Sequence, residues 1–234
     1  AVKGVAPPTG APFLLIILIL ILLPPWPLRT RIRIRITSGR IRLPSSRRPN
    51  CAALPPGLVS PMNSPTRLLM CPPAHYGVNY VINPWMAGNV DKTDADLAAA
   101  QWRALVAVLR PHAQVELVAP QPGLPDLVFT ANAGLVLGDV VVLSRFLHRE
   151  RQAEEPHFRA WFEAHGFTLR ELPKDLPFEG AGDALLDRDG RWLWAGYGFR
   201  SELDAHPLLA AWLDLEVLSL RLVDQRFYHL DACL

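Results

Sequence analysis

The chain has 234 residues, half of them apolar and 20% charged, enough for one domain with its own core and too apolar for wholesale disorder. The formal charge of +2 conceals a division: residues 1–61 carry Lys3, eight arginines and no acid (+9), whereas residues 62–234 carry 15 basic and 22 acidic side chains (−7). The acidic part argues against a nucleic-acid-binding domain, and three cysteines (Cys51, Cys71, Cys233) are too few for a disulfide framework and lack zinc-ligand spacing.

In chain order, the first feature is an apolar run, residues 13–23, followed by Pro24-Pro25. It is short of the ~20 residues that cross a bilayer, although it has the length of a signal-peptide core. No small-residue cleavage site follows it, and only Lys3 precedes it. Residues 29–36 alternate Arg with Ile or Thr, the period of a strand with one charged face, but Pro and Arg dominate from there to Pro61. Residues 1–61 are therefore expected to form an unstructured basic leader outside the fold, with Met62 as the true start. A targeting segment or a basic partner-binding arm are the alternatives.

From residue 62 onward the texture is that of an α/β protein. Strands are expected at 68–71, 78–82, 115–119, 127–130, 135–137, 140–144, 167–169, 184–186, 192–195, 217–220 and 227–230. Three amphipathic helices are expected between them. The first spans 93–109 with Thr93 or Asp94 as cap, and the second spans 154–165 and stops at Gly166. The third spans 201–213 with Ser201 as cap. Pro122-Gly123, Gly138-Asp139 and Asp189-Gly190 mark turns. The order reads as a repeated strand–strand–helix–strand unit, which suits blades of an α/β propeller and also allows an open mixed sheet.

Four polar clusters interrupt the apolar pattern. Asp126 and Asn132 bracket a run expected to be a strand, which would put both on one face. In Phe178-Glu179-Gly180-Ala181-Gly182-Asp183, two acids flank glycines that permit close approach of a ligand. Arg200, in Tyr197-Gly198-Phe199-Arg200-Ser201, stands where a loop enters a helix and suits a carboxylate. His229 and Asp231 alternate on the last expected strand and would share a face, an arrangement suited to proton transfer. Each cluster has an ordinary reading as turn or surface chemistry. Together, acids, one imidazole and one cation suit a ligand with a cation at one end and a carboxylate at the other, such as a guanidino amino acid.

The run Pro125-Asp126-Leu127-Val128-Phe129-Thr130-Ala131-Asn132, the run Phe178 to Asp183 and His229-Leu230-Asp231 stand in the order and spacing of the guanidino-group-modifying superfamily. Residues 62–234 resemble that group, which includes arginine deiminases, dimethylarginine dimethylaminohydrolases, amidinotransferases and bacterial arginine dihydrolases. The resemblance implies an α/β fold, the five-bladed propeller called the pentein fold, incomplete over these residues. It also implies covalent chemistry, in which a cysteine thiolate attacks the guanidino carbon and water hydrolyses the thiouronium. Carried over by motif, His229 is the general acid/base and Glu179 holds the guanidinium and the histidine. Asp126 and Asp231 anchor the guanidinium, Arg200 and Arg151 grip the α-carboxylate, and Asn83 borders the pocket. Deiminases usually have an acid at the position of Asn132, so Phe129-Thr130-Ala131-Asn132-Ala133-Gly134 is most similar to the arginine dihydrolase branch, which yields ornithine, ammonia and carbon dioxide. Dimethylarginine hydrolysis and arginine deimination are the alternatives.

The family nucleophile is a cysteine well beyond the His-x-Asp motif, and so is expected beyond Leu234. Cys233 matches a non-nucleophilic position, and Cys71 matches no nucleophile motif. An inactive propeller fragment that binds without turnover is the reading from another class. The resemblance implies no metal and no organic cofactor, a small guanidino substrate as the partner, and neither nucleic acid nor membrane. A cytoplasmic location is expected. The histidines outside the motif lack ligand spacing, and His165 and His206 read as surface residues.

Overall fold

The computed structural model describes residues 66–234 and the backbone of Phe13–Leu15 and Arg40–Ile41. Three sheets carry the fold, and helices cover them. The first sheet joins β1 (Phe13–Leu15), β3 (Thr66–Met70) and β4 (Ala113–Leu117), all parallel. Leu68, Leu69 and Met70 are buried in succession, as expected of a strand covered on both faces. The crossover from β3 to β4 is helix α1 (Ala95–Leu109), capped by Asp94, whose carboxylate accepts the Leu97 amide at 2.9 Å. Met70 packs there against Val106, Trp102 and Leu109.

The second and third sheets repeat one unit. In the second, β5 (Gly134–Leu137) pairs antiparallel with β6 (Val140–Leu143) through a turn at Gly138, whose φ of 61° only glycine adopts freely. Helices α2 (Arg149–Gln152) and α3 (Glu155–Ala164) then lead to β7 (Thr168–Glu171), parallel to β6. In the third, β8 (Ala184–Leu186) pairs antiparallel with β9 (Trp192–Tyr197), and helix α4 (His206–Leu213) leads to β10 (Glu216–Arg221), parallel to β9. The strand–strand–helix–strand repeat is thus present twice. Phe158, Trp161 and Phe162 of α3 pack against Val141 and Leu143, and Leu209 and Leu213 of α4 pack against Leu193 and Val217.

The expected leader does not lie wholly outside the sheets. Phe13–Leu15 adds to β3, and β2 (Arg40–Ile41) pairs antiparallel with β10, so both segments cover edges that would otherwise be unpaired. The remainder of the 13–23 run and of the Arg-Ile alternation lies outside the described residues.

Three expected strands are corrected. Residues 127–130 fall in two consecutive 3-10 turns, Pro125–Val128 and Thr130–Ala133. Pro125 starts the first of them with a fixed φ and no amide donor. The Thr130 hydroxyl donates to the Leu69 carbonyl at 2.7 Å, so a side chain takes a bond that a ladder would have used. Residues 227–230 are likewise not a strand, because Asp224 caps a turn at Gln225–Phe227 and a second turn spans Leu230–Ala232. Residues 78–82 are bends and irregular backbone. The third helix begins at His206, with Pro207 in its first turn, and Ser201 does not cap it. His206 is also not a surface residue. It is fully buried, 2.8 Å from the Ser219 hydroxyl.

Candidate active site

Three 3-10 turns build the site. Thr130–Ala133 leads into β5, Gly180–Gly182 leads into β8, Leu230–Ala232 follows β10, and the turns pack against one another. Glycine makes the approach possible. A Cβ on Gly180, which has φ of 62°, would lie 2.8 Å from the Gly134 backbone. One on Gly182 would meet the Asn132 amide nitrogen and stand 3.3 Å from His229 Nδ1. Asp126 and Asn132 therefore reach the site from consecutive turns, and His229 and Asp231 from the start of a turn, rather than from strand faces.

His229 lies at the centre, 2% exposed. Its Nδ1 is 3.2 Å from Asp183 Oδ1, and its Nε2 is 3.4 Å from both Glu179 Oε2 and Asn132 Nδ2. Burial disfavours the imidazolium, but the charges of Asp183 and Glu179 outweigh it and raise the pKa to about 9. Glu179 is fully buried. Burial alone would push its carboxyl up, yet the contact with His229 and the Arg200 guanidinium, 3.1 Å from Oε2, bring it down to about 2. Oε1 accepts the Leu147 amide. Asp183 is held in turn: Oδ2 accepts the Ser201 hydroxyl at 2.6 Å, and Oδ1 accepts the Leu230 amide at 3.1 Å. Ser201 Oγ also accepts the Glu179 amide at 3.0 Å, which locks the two acids together.

The remaining expected residues surround this centre. Arg200 also donates to the Ile82 carbonyl at 3.1 Å and lies over the Tyr228 ring at 4.6 Å. Asn83 reaches the same ring, donating to the Tyr228 hydroxyl at 3.3 Å, while its own oxygen accepts the Trp85 and Met86 amides. Asp126 accepts the Tyr80 hydroxyl at 3.0 Å, and burial raises its pKa against the pull of Arg151. Arg151 is buried and bonded to protein acceptors: Glu154, the Asp126 carbonyl and Asn132 Oδ1. Asp231 has one buried carboxylate oxygen without a hydrogen-bond partner, and burial, opposed by His229 and reinforced by Asp183, raises its pKa to about 7. A buried acid in that condition favours a cationic ligand.

Neither described thiol has the electropositive surroundings of a nucleophile. Cys71 is buried and its pKa is pushed up to about 12. Cys233 donates to the Leu230 and His229 carbonyls, and burial with the nearby Asp231 and Asp183 raises it to about 11. Among the described residues no group of three or more His, Cys, Asp or Glu is placed to hold a metal ion. No described helix is long and apolar enough to cross a membrane.

Sequence reasoning missed Asp183, Ser201, Tyr80, Tyr228 and Glu154 as parts of the site. Asp183 was within sight, closing the glycine motif at the polar end of β8. Ser201 was explained away by helix capping. Tyr80 carries no local signal and comes in through the packing of distant turns, whereas Tyr228 adjoins His229 and Glu154 lies three residues from Arg151.

Residues 78–234 match the family model described as N,N dimethylarginine dimethylhydrolase, eukaryotic. The bifunctional arginine dihydrolase/ornithine cyclodeaminase AgrE of Nostoc sp. is 73% identical over 172 residues, 74% of this chain and 24% of AgrE. The N-terminal domain of ArgZ, a cyanobacterial arginine dihydrolase crystallised as a cysteine-to-serine variant bound to substrate, is 68% identical with a TM-score of 0.71. That match covers 71% of this chain and 62% of the ArgZ domain. A second structure of the ArgZ domain, covalently bound to a reaction intermediate, matches with the same TM-score and identity over 71% of this chain and 61% of that one. The chain thus spans about a quarter of the bifunctional relative.

Proposed function

Because the chain belongs to the N,N dimethylarginine dimethylhydrolase family, we propose that its buried cluster hydrolyses the guanidino carbon of arginine, taking it through citrulline to ornithine, ammonia and carbon dioxide. One observation carries this reading: Glu179 already holds a guanidinium, that of Arg200, at 3.1 Å, with His229 3.4 Å from the same carboxylate oxygen. The substrate's guanidinium takes that place, and Arg200 turns its donors to the α-carboxylate. Asp126 and Asp231 supply further negative charge around the cationic headgroup, and Asn83 borders the pocket beside Tyr228.

The nucleophile is a cysteine thiolate outside the described residues, which the resemblance implies well beyond the His-x-Asp motif; the thiols of Cys71 and Cys233, raised rather than lowered, do not suit the role. Support comes from relatives: ArgZ was crystallised with substrate when a cysteine was replaced and, separately, bound covalently to an intermediate. In the first round the thiolate bonds to the guanidino carbon and a C–N bond breaks. His229, cationic at neutral pH with a pKa of about 9, gives its proton to the departing ammonia. The neutral imidazole then takes a proton from water, which attacks the thiouronium carbon, expels the thiolate and leaves citrulline. A second round on the ureido carbon releases the second ammonia and a carbamate, which loses carbon dioxide. Two waters are consumed overall.

In the second round the electrophile is neutral, and an amide at Asn132 suits it better than a carboxylate. The three sheets stand as blades of a five-bladed pentein propeller, a reading supported by the twofold occurrence of the strand–strand–helix–strand unit. Residues 62–234 belong to this catalytic domain, and the greater part of residues 1–61 does not.

The full-length protein fed arginine is expected to yield ornithine with two equivalents of ammonia and no urea. Its Asn132→Asp form is expected to accumulate citrulline. An unchanged ornithine yield from that variant refutes the amide's role, and failure to consume arginine refutes the substrate. Consumption of methylated arginine in its place selects the activity for which the family is named.

A further inference from the structure

Glu154 has no place in the chemistry described so far, yet it is fully buried, in the turn between α2 and α3. Its carboxylate grips Arg151 as a fork, Oε1 accepting Nε at 2.9 Å and Oε2 accepting a terminal nitrogen at 2.8 Å. Arg151 lies with its guanidinium 4.3 Å from the centre of the Phe146 ring, and its third nitrogen donates to Asn132 Oδ1 at 3.0 Å. A guanidinium carries donors only, so it accepts one orientation of the neighbouring amide, oxygen toward Arg151. The Asn132 nitrogen must then face the opposite way. There one hydrogen reaches the Glu179 carbonyl at 3.2 Å, and the nitrogen stands 3.4 Å from His229 Nε2.

We propose that Glu154 is a positioning residue for the second hydrolytic round: by locking Arg151 it holds the Asn132 amide with its NH2 turned into the site. The proposal rests on the arginine hydrolysis inferred above. The two rounds place different demands on that amide. Arginine offers a cation bearing only N–H donors, which an amide oxygen suits and an amide nitrogen does not. Citrulline offers a neutral ureido group whose oxygen needs a donor. A freed amide that turns over presents its own oxygen to the ureido oxygen, which penalises the second round and spares the first.

Glu154→Gln in the full-length protein tests this, because a Gln amide presents only one acceptor and turns a donor toward Arg151. Rates are measured separately with arginine and with citrulline supplied. Citrulline consumption is expected to fall about tenfold more than arginine consumption, with citrulline accumulating from arginine. Parallel losses in the two rates reduce Glu154 to a structural role and overturn the proposal. The paired change Arg151→Met with Glu154→Met guards against misfolding, since it removes both buried charges together at similar volume. It should show the same selective loss, and an unaltered ratio of the two rates overturns the proposal as well. A parent protein that stops at citrulline overturns the function reading itself, and this inference with it, before any variant is compared.

Discussion

Asp183 is the residue on which the state of His229 depends most. Of the groups that support the imidazolium against burial, its charge comes first, at 3.2 Å from Nδ1, and two donors hold it there, the Ser201 hydroxyl and the Leu230 amide. Glu179 contributes from the other side of the ring but shares its charge with Arg200. Replacing Asp183 by Asn removes the larger support and leaves burial, which lowers an imidazole pKa. The His229 titration, followed by NMR of the ring protons, should therefore move from about 9 down by about 1–3 units. The alkaline limb of the activity profile should move with it, because an imidazole that is neutral at the working pH has no proton for the leaving ammonia. A titration that stays in place would show that Glu179 alone sustains the imidazolium.

The element that carries the chemistry is a short 3-10 turn, used three times, twice ahead of a strand and once after one. This explains what could be read in the sequence and what could not. Strands β5 to β10 and helices α1 and α3 follow hydrophobic period and turn residues, which act locally, so Gly138, Gly166 and Asp94 announced their ends. The turns at Pro125–Val128, Thr130–Ala133 and Leu230–Ala232 are apolar enough to look like strands. Contacts remote in sequence decide them instead, such as the Thr130 bond to Leu69, 61 residues away. The candidate residues were legible because polar groups in apolar runs are conspicuous. Their partners Asp183, Ser201 and Glu154 were not, since each has an ordinary local explanation. The same element separates two glycines of one motif. Gly180→Ala puts a Cβ against the Gly134 backbone at a left-handed φ and should cost about 2–4 kcal/mol of stability. Gly182→Ala meets side chains and no backbone, the Asn132 amide nitrogen foremost and His229 Nδ1 at 3.3 Å. It should melt within a few degrees of the parent and still lose most of its activity, because the amide is driven from His229. Melting curves and arginine turnover of the two variants distinguish these outcomes, and equal losses of stability would contradict the separation.

At the scale of the molecule, a second buried polar pair lies apart from the site, in the core between α4 and β10. His206 is fully buried there, with Nδ1 2.8 Å from the Ser219 hydroxyl and its ring edge-on to Tyr197. Burial, against a backbone bond to Gly196 and the charge of Asp183, lowers its pKa to about 4. The folded state therefore binds fewer protons than the unfolded chain between pH 4 and an unfolded value of about 6.5. Stability from this residue is complete above 6.5 and is lost as the pH falls toward 4. Integration over that window gives about 2 kcal/mol between pH 7 and pH 5. His229, whose pKa is raised, works in the opposite sense: its stabilisation is complete below 6.5 and is lost as the pH rises through about 9. Glu154 and Asp231, both raised to about 7, also gain on acidification. The whole protein's acid response is thus a sum of opposed parts, and the His206 part emerges only by difference. His206→Gln keeps a hydrogen-bonding group beside Ser219 and cannot ionise. Urea unfolding of both proteins should show the variant gaining about 2 kcal/mol on the parent when the pH drops from 7 to 5, whatever their difference at pH 7. A constant difference across that range would mean that His206 keeps its ordinary pKa in the core and that the acid response arises at the site alone.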